Sequence, residues 1–133
     1  DTADARLFDG SGLARDDRVS CRLLLDTLLA AAAHGFDPIV DGLADAATTG
    51  TLATRFVGHP LAGRLHAKTG QLDGVAALAG IIDSPTGGPP VWFAFISNGD
   101  FSTTDGQVRQ QRVAEAIATY PDTLPPDELV PAP

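Results

Sequence analysis

The sequence predicts an α+β fold in which helices cover an antiparallel sheet of three strands. Amphipathic helical patterns occur near both ends of the chain, at residues 21–34 and 106–120. Between them, residues 64–69, 75–83 and 91–97 form short apolar segments of the kind that build strands. The connections between these segments are short, whereas parallel strands need a long crossover, so the strands are predicted to be antiparallel neighbours.

The first part of the chain is predicted to be a turn followed by two helices. Residues 9–12 read Asp-Gly-Ser-Gly, which is a strong turn signal. Ser20 is predicted to cap a helix over residues 21–34, because leucines and alanines recur there at helical spacing, and Gly35 is predicted to end it. A second short helix is predicted over residues 38–47, where a proline stands at the first position.

Turn and loop signals bound the three predicted strands. Residues 48–63 are rich in Thr and Gly and are predicted to be mostly loop, with a short helical piece at residues 52–57. The first strand, residues 64–69, is followed by Asp-Gly at residues 73–74, a tight-turn dipeptide. The third strand, residues 91–97, is apolar almost throughout, which predicts burial on both faces. Because the chain contains few helices, we expect further protein to help cover the sheet.

The end of the chain is predicted to be a helix and a tail. Asp105 is predicted to cap a helix over residues 106–120 whose apolar face consists of Val113, Ala116, Ile117 and Tyr120. Residues 121–133 contain five of the ten prolines and show no periodicity, so they are predicted to form an extended or disordered tail.

Composition and charge argue against several classes of function. The net charge of −8 disfavours a nucleic-acid partner, and no apolar run is long enough to span a membrane. The single cysteine, Cys21, cannot form an internal disulfide and is predicted to be a buried thiol. His34, His59 and His66 lack the spacing of metal ligands, so neither a metal nor a cofactor is expected.

The motif with chemical meaning is Lys68-Thr69-Gly70, at the end of the first predicted strand. Lys68 is the only lysine beside eight arginines. An ammonium and a hydroxyl at a cleft edge can hold a carboxylate, and a glycine allows a ligand to approach the backbone closely. A strand edge also offers N–H groups that bind an extended peptide or stabilise an oxyanion. The tripeptide alone is a weak signal, since a solvated lysine before a turn glycine has the same sequence.

Three stretches in order strengthen this signal: residues 9–13 (Asp-Gly-Ser-Gly-Leu), residues 50–52 (Gly-Thr-Leu) and residues 66–75, which contain Lys-Thr-Gly. Together they resemble the low-molecular-mass class C penicillin-binding proteins, the D-alanyl-D-alanine carboxypeptidase/endopeptidases, over residues 7–120. Thr49 departs from the family pattern, which has an acidic residue at that position.

The resemblance implies a fold and a set of site residues. The fold is the penicillin-recognising serine transferase (β-lactamase-like) domain, of which residues 1–120 are the C-terminal portion, with the last three strands of the sheet and the C-terminal helix. Lys68, Thr69 and Gly70 are implied to be catalytic, with Lys68 and Thr69 holding the substrate carboxylate. The backbone N–H of Gln71 is implied to form half of the oxyanion hole. A further group is implied to support the cleft: Asp9, Ser11 and Gly12.

The implied function is that of a serine-type D-Ala-D-Ala carboxypeptidase acting on peptidoglycan peptides through an acyl-enzyme. No Ser-x-x-Lys or Ser-x-Asn occurs in the chain, although the family places both upstream of the Asp-Gly-Ser-Gly stretch. We therefore expect the nucleophilic serine on an upstream portion of the same protein, and this chain to be inactive alone. The other expected partners are peptidoglycan peptides and β-lactams, and the expected location is outside the cytoplasmic membrane.

Other hypotheses remain open from the sequence. The chain could belong to a non-catalytic cell-wall-binding module with the same fold, or to a relative of β-lactamases and transpeptidases that shares only Lys-Thr-Gly. An unrelated α+β domain is the least specific alternative. An upstream Ser-x-x-Lys would favour the enzyme over the binding module, and turnover of a β-lactam would favour the β-lactamase relative.

Overall fold

The computed structural model describes residues 5–35 and 37–120, which form three helices and one antiparallel sheet. In chain order, the elements are α1 (Cys21–Ala33), α2 (Asp37–Asp41), β1 (Ala44–Asp45), a 3₁₀ turn (Gly50–Leu52), β2 (Leu65–Leu72), β3 (Val75–Ile82), β4 (Val91–Asn98) and α3 (Thr103–Ala118). The α+β class is confirmed. The predicted tail at residues 121–133 lies outside the described residues.

Helix α1 begins and ends where local signals predict. The Ser20 hydroxyl accepts a hydrogen bond from the Leu23 N–H at 3.1 Å, which satisfies one of the free donors of the first turn. The helix ends at Ala33, and Gly35 follows with φ +71°, a conformation that glycine adopts without strain. Cys21 is exposed, as is the neighbouring Arg22, so the prediction of a buried thiol was wrong: the N-terminal end of α1 is not covered by the described residues.

The sheet is a meander in the order β1-β2-β3-β4, with every neighbouring pair antiparallel. The three predicted strands are present. Strand β2 runs three residues further than predicted, because it stays paired with β3 until Leu72 lies opposite Val75. Gly74 then closes the two-residue turn with φ +69°. Strand β4 is the outer strand, and most of its residues are half-buried where full burial was predicted.

The short strand β1 corrects the prediction of a helix over residues 38–47. Helix α2 stops at Asp41, before Gly42, and the chain turns back so that Ala44 and Asp45 pair with β2. Ala44 pairs with Ala67 of β2, whereas the N–H and carbonyl of Asp45 bond to Thr49, so neither residue needs a helical hydrogen-bond partner. The helical piece predicted at residues 52–57 is also absent, and a single 3₁₀ turn precedes it at Gly50–Leu52.

Helix α3 starts earlier than predicted because Ser102, not Asp105, is its N-cap. The Ser102 hydroxyl accepts from the Asp105 N–H at 3.1 Å, while the Asp105 carboxylate accepts from the Ser102 N–H at 3.3 Å. The two residues form a reciprocal capping box, in which the acidic residue stands three positions inside the cap.

The face of α3 that packs on the sheet also differs from the predicted apolar face. Gly106, Gln110 and Ala114 are buried, whereas Ala116 and Tyr120 of the predicted set are exposed. Small residues are needed here because helix and sheet approach closely: a Cβ on Gly106 would lie only 3.1 Å from the Cβ of Ala76.

The hydrophobic core lies between α3 and the sheet and extends under the 3₁₀ turn. Its fully buried large side chains are Leu52, Leu61, Leu65, Leu78 and Ile82. Helix α1 covers the opposite face of the sheet at β3 and β4. Within the described residues, none of the helices has both the length and the hydrophobicity required to cross a bilayer. At the β2 edge of the sheet, β1 covers only two residues, Ala67 and His66.

Candidate substrate-binding edge

The β2 strand has an open edge that begins at the Lys-Thr-Gly motif. Strand β1 pairs only with Ala67 and His66, so among the described residues β2 is paired on one side alone from Lys68 onward. The Leu65 carbonyl accepts from the Ala46 N–H at 2.9 Å, which shows that the backbone groups of Leu65 point toward the β1 side.

Backbone groups of alternate residues point to the same side of a strand. Because Leu65 points toward β1, the N–H groups of Thr69 and Gln71 also point to that side, where β1 has already ended. The edge therefore presents unpaired donors at the positions where an extended peptide could add to the sheet.

Lys68 is exposed, and its ammonium lies along this edge. Its Nζ donates to the carbonyl oxygen of Thr69 at 2.7 Å, and no carboxylate of the described residues forms an ion pair with it. Two concave surfaces lie elsewhere, beside Arg55 in the loop facing α3 and beside Asp83 at the end of β3, and Lys68 lines neither. The described residues thus provide an exposed edge with an available positive charge.

Thr69 is held by a residue from the 3₁₀ turn. Its hydroxyl donates to the Thr51 hydroxyl at 2.9 Å, across 18 positions of sequence. Thr51 belongs to the Gly-Thr-Leu stretch that contributes to the family resemblance, but no pattern in the sequence assigns it a role. The turn therefore continues along the β2 edge from the point where β1 stops.

Gly70 is fixed from the α3 side by a buried amide. The Nε2 of Gln110 donates to the carbonyls of Gly70 and Ala77, at 3.1 Å and 2.9 Å. Its Oε1 accepts from the Arg55 guanidinium at 2.6 Å, and Arg55 also donates to the Gln107 carbonyl at 3.1 Å. Burial lowers the pKa of Arg55 below its ordinary value, because desolvation disfavours the charged form. Sequence reasoning missed Gln110, since a glutamine on a helix normally indicates an exposed position.

Gln71 has its side chain against α3 and its backbone at the open edge. The Nε2 of Gln71 is buried and has no hydrogen-bond partner among the described residues, and it lies where a Cβ on Gly106 would approach to 2.6 Å. Such an unpaired buried donor is uncommon in native proteins. The Gln71 side chain therefore packs against α3 at Gly106, while its backbone N–H stays on the open edge of β2.

The segment with Asp9, Ser11 and Gly12 forms a self-contained turn. The Asp9 carboxylate accepts from the N–H groups of Ser11 and Gly12 at 2.9 Å and 2.8 Å. The bond from Gly12, against a smaller opposing effect of desolvation, lowers the pKa of Asp9 from 3.8. Arg15 connects this segment to the sheet by donating to the Asp73 carbonyl at 3.1 Å. Among the described residues, no hydrogen bond links the turn to Lys68 or Thr69.

His66 forms an unpredicted polar cluster on β2, two residues before Lys68. Its Nδ1 lies 2.6 Å from Asp45 on β1, and its Nε2 lies 3.2 Å from Asp83 after β3. Partial burial acts to lower the pKa of His66, but the hydrogen bonds and charges of the two carboxylates together raise it above 6.5. The imidazole therefore joins three neighbouring strands at the start of the open edge.

Comparisons with known proteins match both the chain and its fold. A family model described as D-Ala-D-Ala carboxypeptidase 3 (S13) family matches residues 1–120. The chain is 43% identical over 105 residues to carboxypeptidase DacB of Mycolicibacterium smegmatis, a match that covers 74% of this chain and 23% of that protein. It is 34% identical over 126 residues to the D-alanyl-D-alanine carboxypeptidase of Actinomadura sp. R39, covering 90% and 23%. The chain thus spans 23% of the length of each of these curated relatives.

Comparison with solved structures also identifies proteins with a similar fold. Penicillin-binding protein 4 (dacB) of Haemophilus influenzae superposes with a TM-score of 0.74 at 27% identity, over 89% of this chain and 28% of that one. A penicillin G-acylated predatory endopeptidase of Bdellovibrio bacteriovorus, in complex with an immunity protein, gives a TM-score of 0.67 at 25% identity. That match covers 88% of this chain and 33% of the other.

Proposed function

Because the chain belongs to the D-Ala-D-Ala carboxypeptidase 3 (S13) family, we propose that it is the C-terminal part of a penicillin-binding serine carboxypeptidase. The complete protein cleaves the terminal D-Ala–D-Ala bond of peptidoglycan stem peptides through a serine acyl-enzyme. Relatives that are named carboxypeptidases and the likeness to a penicillin-binding protein support this proposal.

The open edge of β2 is the observation that carries the proposal. The Lys68 ammonium, the Thr69 hydroxyl and two unpaired N–H groups all lie on this edge, which starts where β1 ends. An extended peptide adds to such an edge by main-chain hydrogen bonds. Its terminal carboxylate then binds the ammonium and the hydroxyl, an arrangement of charge-assisted bonds.

Gly70 and Gln71 have separate roles in this proposal. The Gln71 N–H is one oxyanion donor, and the second donor comes from a part of the protein outside this chain. Gly70 leaves the backbone free of a side chain, and a Cβ there would approach the Cβ of Ala77 to 3.2 Å. Asp9, Ser11 and Gly12 act only as a supporting turn near the end of the β2–β3 hairpin.

The nucleophile and the remaining partners lie outside this chain in the proposal. No Ser-x-x-Lys occurs in the 133 residues, so an upstream portion of the same protein provides the serine. Peptidoglycan peptides are the substrates and β-lactams acylate the same serine. Because peptidoglycan lies outside the cytoplasmic membrane, the complete protein works there.

Covalent labelling with a fluorescent penicillin tests the proposal. The full-length protein should be labelled, and the isolated 133-residue chain should not. Lys68→Ala should slow acylation about ten- to a hundredfold, the range of one charge-assisted hydrogen bond. Lys68→Arg keeps the charge and should lose less.

Arg112→Ala is the matched control for net charge, because Arg112 is exposed on α3 and its removal should leave labelling unchanged. A full-length protein that no penicillin labels would contradict the proposal. Labelling of the isolated chain would show that a nucleophile lies within it.

A further inference from the structure

We propose, on the basis of the function proposed above, that Thr51 is a positioning residue for the carboxylate-binding hydroxyl of Thr69. The Oγ1 atoms of the two threonines are 2.9 Å apart, and Thr69 is the donor. Among the described residues, Thr51 provides the hydrogen bond that fixes the Thr69 side chain. Thr51 itself lies on the surface, beside the open edge of β2.

The turn that carries Thr51 is held firmly against the core. Leu52 is fully buried, and its carbonyl accepts from the Ala47 N–H at 3.0 Å. Gly50 has φ +54°, and a Cβ there would come within 2.9 Å of the Cβ of Ala44, so the turn packs directly on β1. An exposed hydroxyl between two such anchors has a defined position.

A further pair of hydrogen bonds connects the turn to the last residue of β1. The Thr49 hydroxyl accepts from the Asp45 N–H at 2.8 Å, and the Thr49 N–H donates to the Asp45 carbonyl at 3.0 Å. Strand β1 therefore covers β2 as far as Ala67, and the turn takes over along the same edge with Thr51 opposite Thr69. Because the 3₁₀ turn follows β1 along the β2 edge, the Thr51 hydroxyl lies beside the Lys-Thr-Gly motif.

The chemistry follows from what a hydroxyl can donate and accept. A hydroxyl has one proton and two lone pairs, so Thr69 cannot donate to Thr51 and to a bound carboxylate at once. When a carboxylate binds, the Thr69 proton turns toward it, and the Thr51 hydroxyl rotates to donate to the Thr69 oxygen. The Thr69 oxygen stays satisfied, and the two bonds in series polarise each other.

A residue without a hydroxyl at position 51 would break this pair. Thr69 would then lose the partner that fixes its rotamer, and its oxygen would lack the donor that strengthens its bond to the carboxylate. The loss should appear only for ligands with a free carboxylate, because no other part of the ligand is predicted to contact Thr69.

Acylation kinetics of the full-length protein test the inference. We would measure the second-order rate constant for benzylpenicillin and for its methyl ester with Thr51→Val, which keeps the shape of the side chain, and with Thr51→Ser, which keeps the hydroxyl. Thr51→Val should react about three- to tenfold more slowly with benzylpenicillin, the value of one neutral hydrogen bond. Thr51→Ser should stay near wild type, and the ester should react with Thr51→Val within about twofold of wild type, since it has no carboxylate for Thr69 to bind.

Two controls separate positioning from folding. Thr54→Val removes another exposed hydroxyl of the same loop and should leave both rates unchanged. In the background of Thr69→Val, the further change Thr51→Val should have no effect, because its partner is already gone.

The outcomes distinguish this inference from the proposed function. A labelled full-length protein in which Thr51→Val reacts with benzylpenicillin as fast as wild type would refute the role of Thr51 and leave the proposed function standing. An equal loss with acid and ester would also refute it, since the effect would then be structural. A wild-type protein that neither ligand acylates would refute the proposed function and the inference with it.

Discussion

The buried amide of Gln110 should be a principal support of the candidate edge, and Gln110→Leu tests this. Leucine has a similar size but removes both donors to the carbonyls of Gly70 and Ala77. It also removes the acceptor of the Arg55 guanidinium, which stays half-buried beside it. The substitution thus removes three hydrogen bonds while adding little volume, although Arg55 keeps its bond to the Gln107 carbonyl.

The expected loss can be worked from these contacts. Each bond to a carbonyl contributes about 1 kcal/mol, and the charge-assisted bond to Arg55 contributes roughly 1.5–3 kcal/mol. The apolar area of leucine offsets about 1 kcal/mol of this. We therefore expect a net loss of about 2–4 kcal/mol, which is large for one position.

Hydrogen exchange of the β2–β3 hairpin in the full-length protein is the assay, because it reports local opening. A loss of that size corresponds to exchange about 30- to 1,000-fold faster, at 1.4 kcal/mol for each factor of ten. The matched control is Gln111→Leu, since Gln111 is the next residue of the same helix and its exposed side chain donates a hydrogen bond to Glu115. The control should leave hairpin exchange unchanged.

A double-mutant cycle with Arg55→Met sharpens the result. Removing both partners leaves no unpaired charge, so the double variant should lose at least about 1 kcal/mol less than the two single losses added together. Exchange within threefold of wild type in Gln110→Leu, or strict additivity in the cycle, would refute this reasoning.

Three further predictions concern stability. Because the pKa of His66 is raised above 6.5 in the fold, its contribution should be complete below pH 6.5 and be lost as pH rises through the folded value. The free energy of unfolding should fall over that interval, and Asp45→Asn should weaken this dependence; a rise instead would contradict it. Gly80→Ala should destabilise the fold by about 3 kcal/mol or more in denaturant unfolding, because its Cβ would overlap the His66 carbonyl and lie 2.7 Å from the Cα of Ala67; a change under 1 kcal/mol would count against this packing. Ser102→Ala should cost about 1 kcal/mol by removing the cap of α3, and Ser102→Asp should restore most of it, as thermal melting would show.

Local signals in the sequence predicted much of the fold. Ser20 and Gly35 bound α1 because a cap and a left-handed stop depend on one residue each. The three long strands were predicted because apolar runs and Asp73-Gly74 act over a few residues. Strand β1 was missed, since two residues carry no periodicity and Ala44–Asp45 is a strand only because the β2 edge lies beside it.

The candidate site likewise contains residues that the sequence could indicate and residues that only the fold brings together. Lys68, Thr69 and Gly70 could be proposed from the sequence because they are contiguous, and the structure places them beside the open edge of β2. Thr51 and Gln110 reach the motif from 18 and 40 positions away, so only the fold brings them there. The apolar pattern of α3 was right only in part: Ile117 packs against the core, but the most buried contact with the sheet is made by Gly106, Gln110 and Ala114.

Among the described residues, β2 has no neighbouring strand on one side beyond Ala67, and this should affect how the chain behaves when it is prepared alone. Unused hydrogen-bonding groups on a strand form a template to which a second copy can add, which is a common start of aggregation. Lys68 should oppose this pairing of strands, because two copies would bring their ammonium groups close together. High salt screens that repulsion, with a Debye length of about 3 Å at 1 M, so the isolated polypeptide should precipitate more readily in concentrated salt than in dilute buffer.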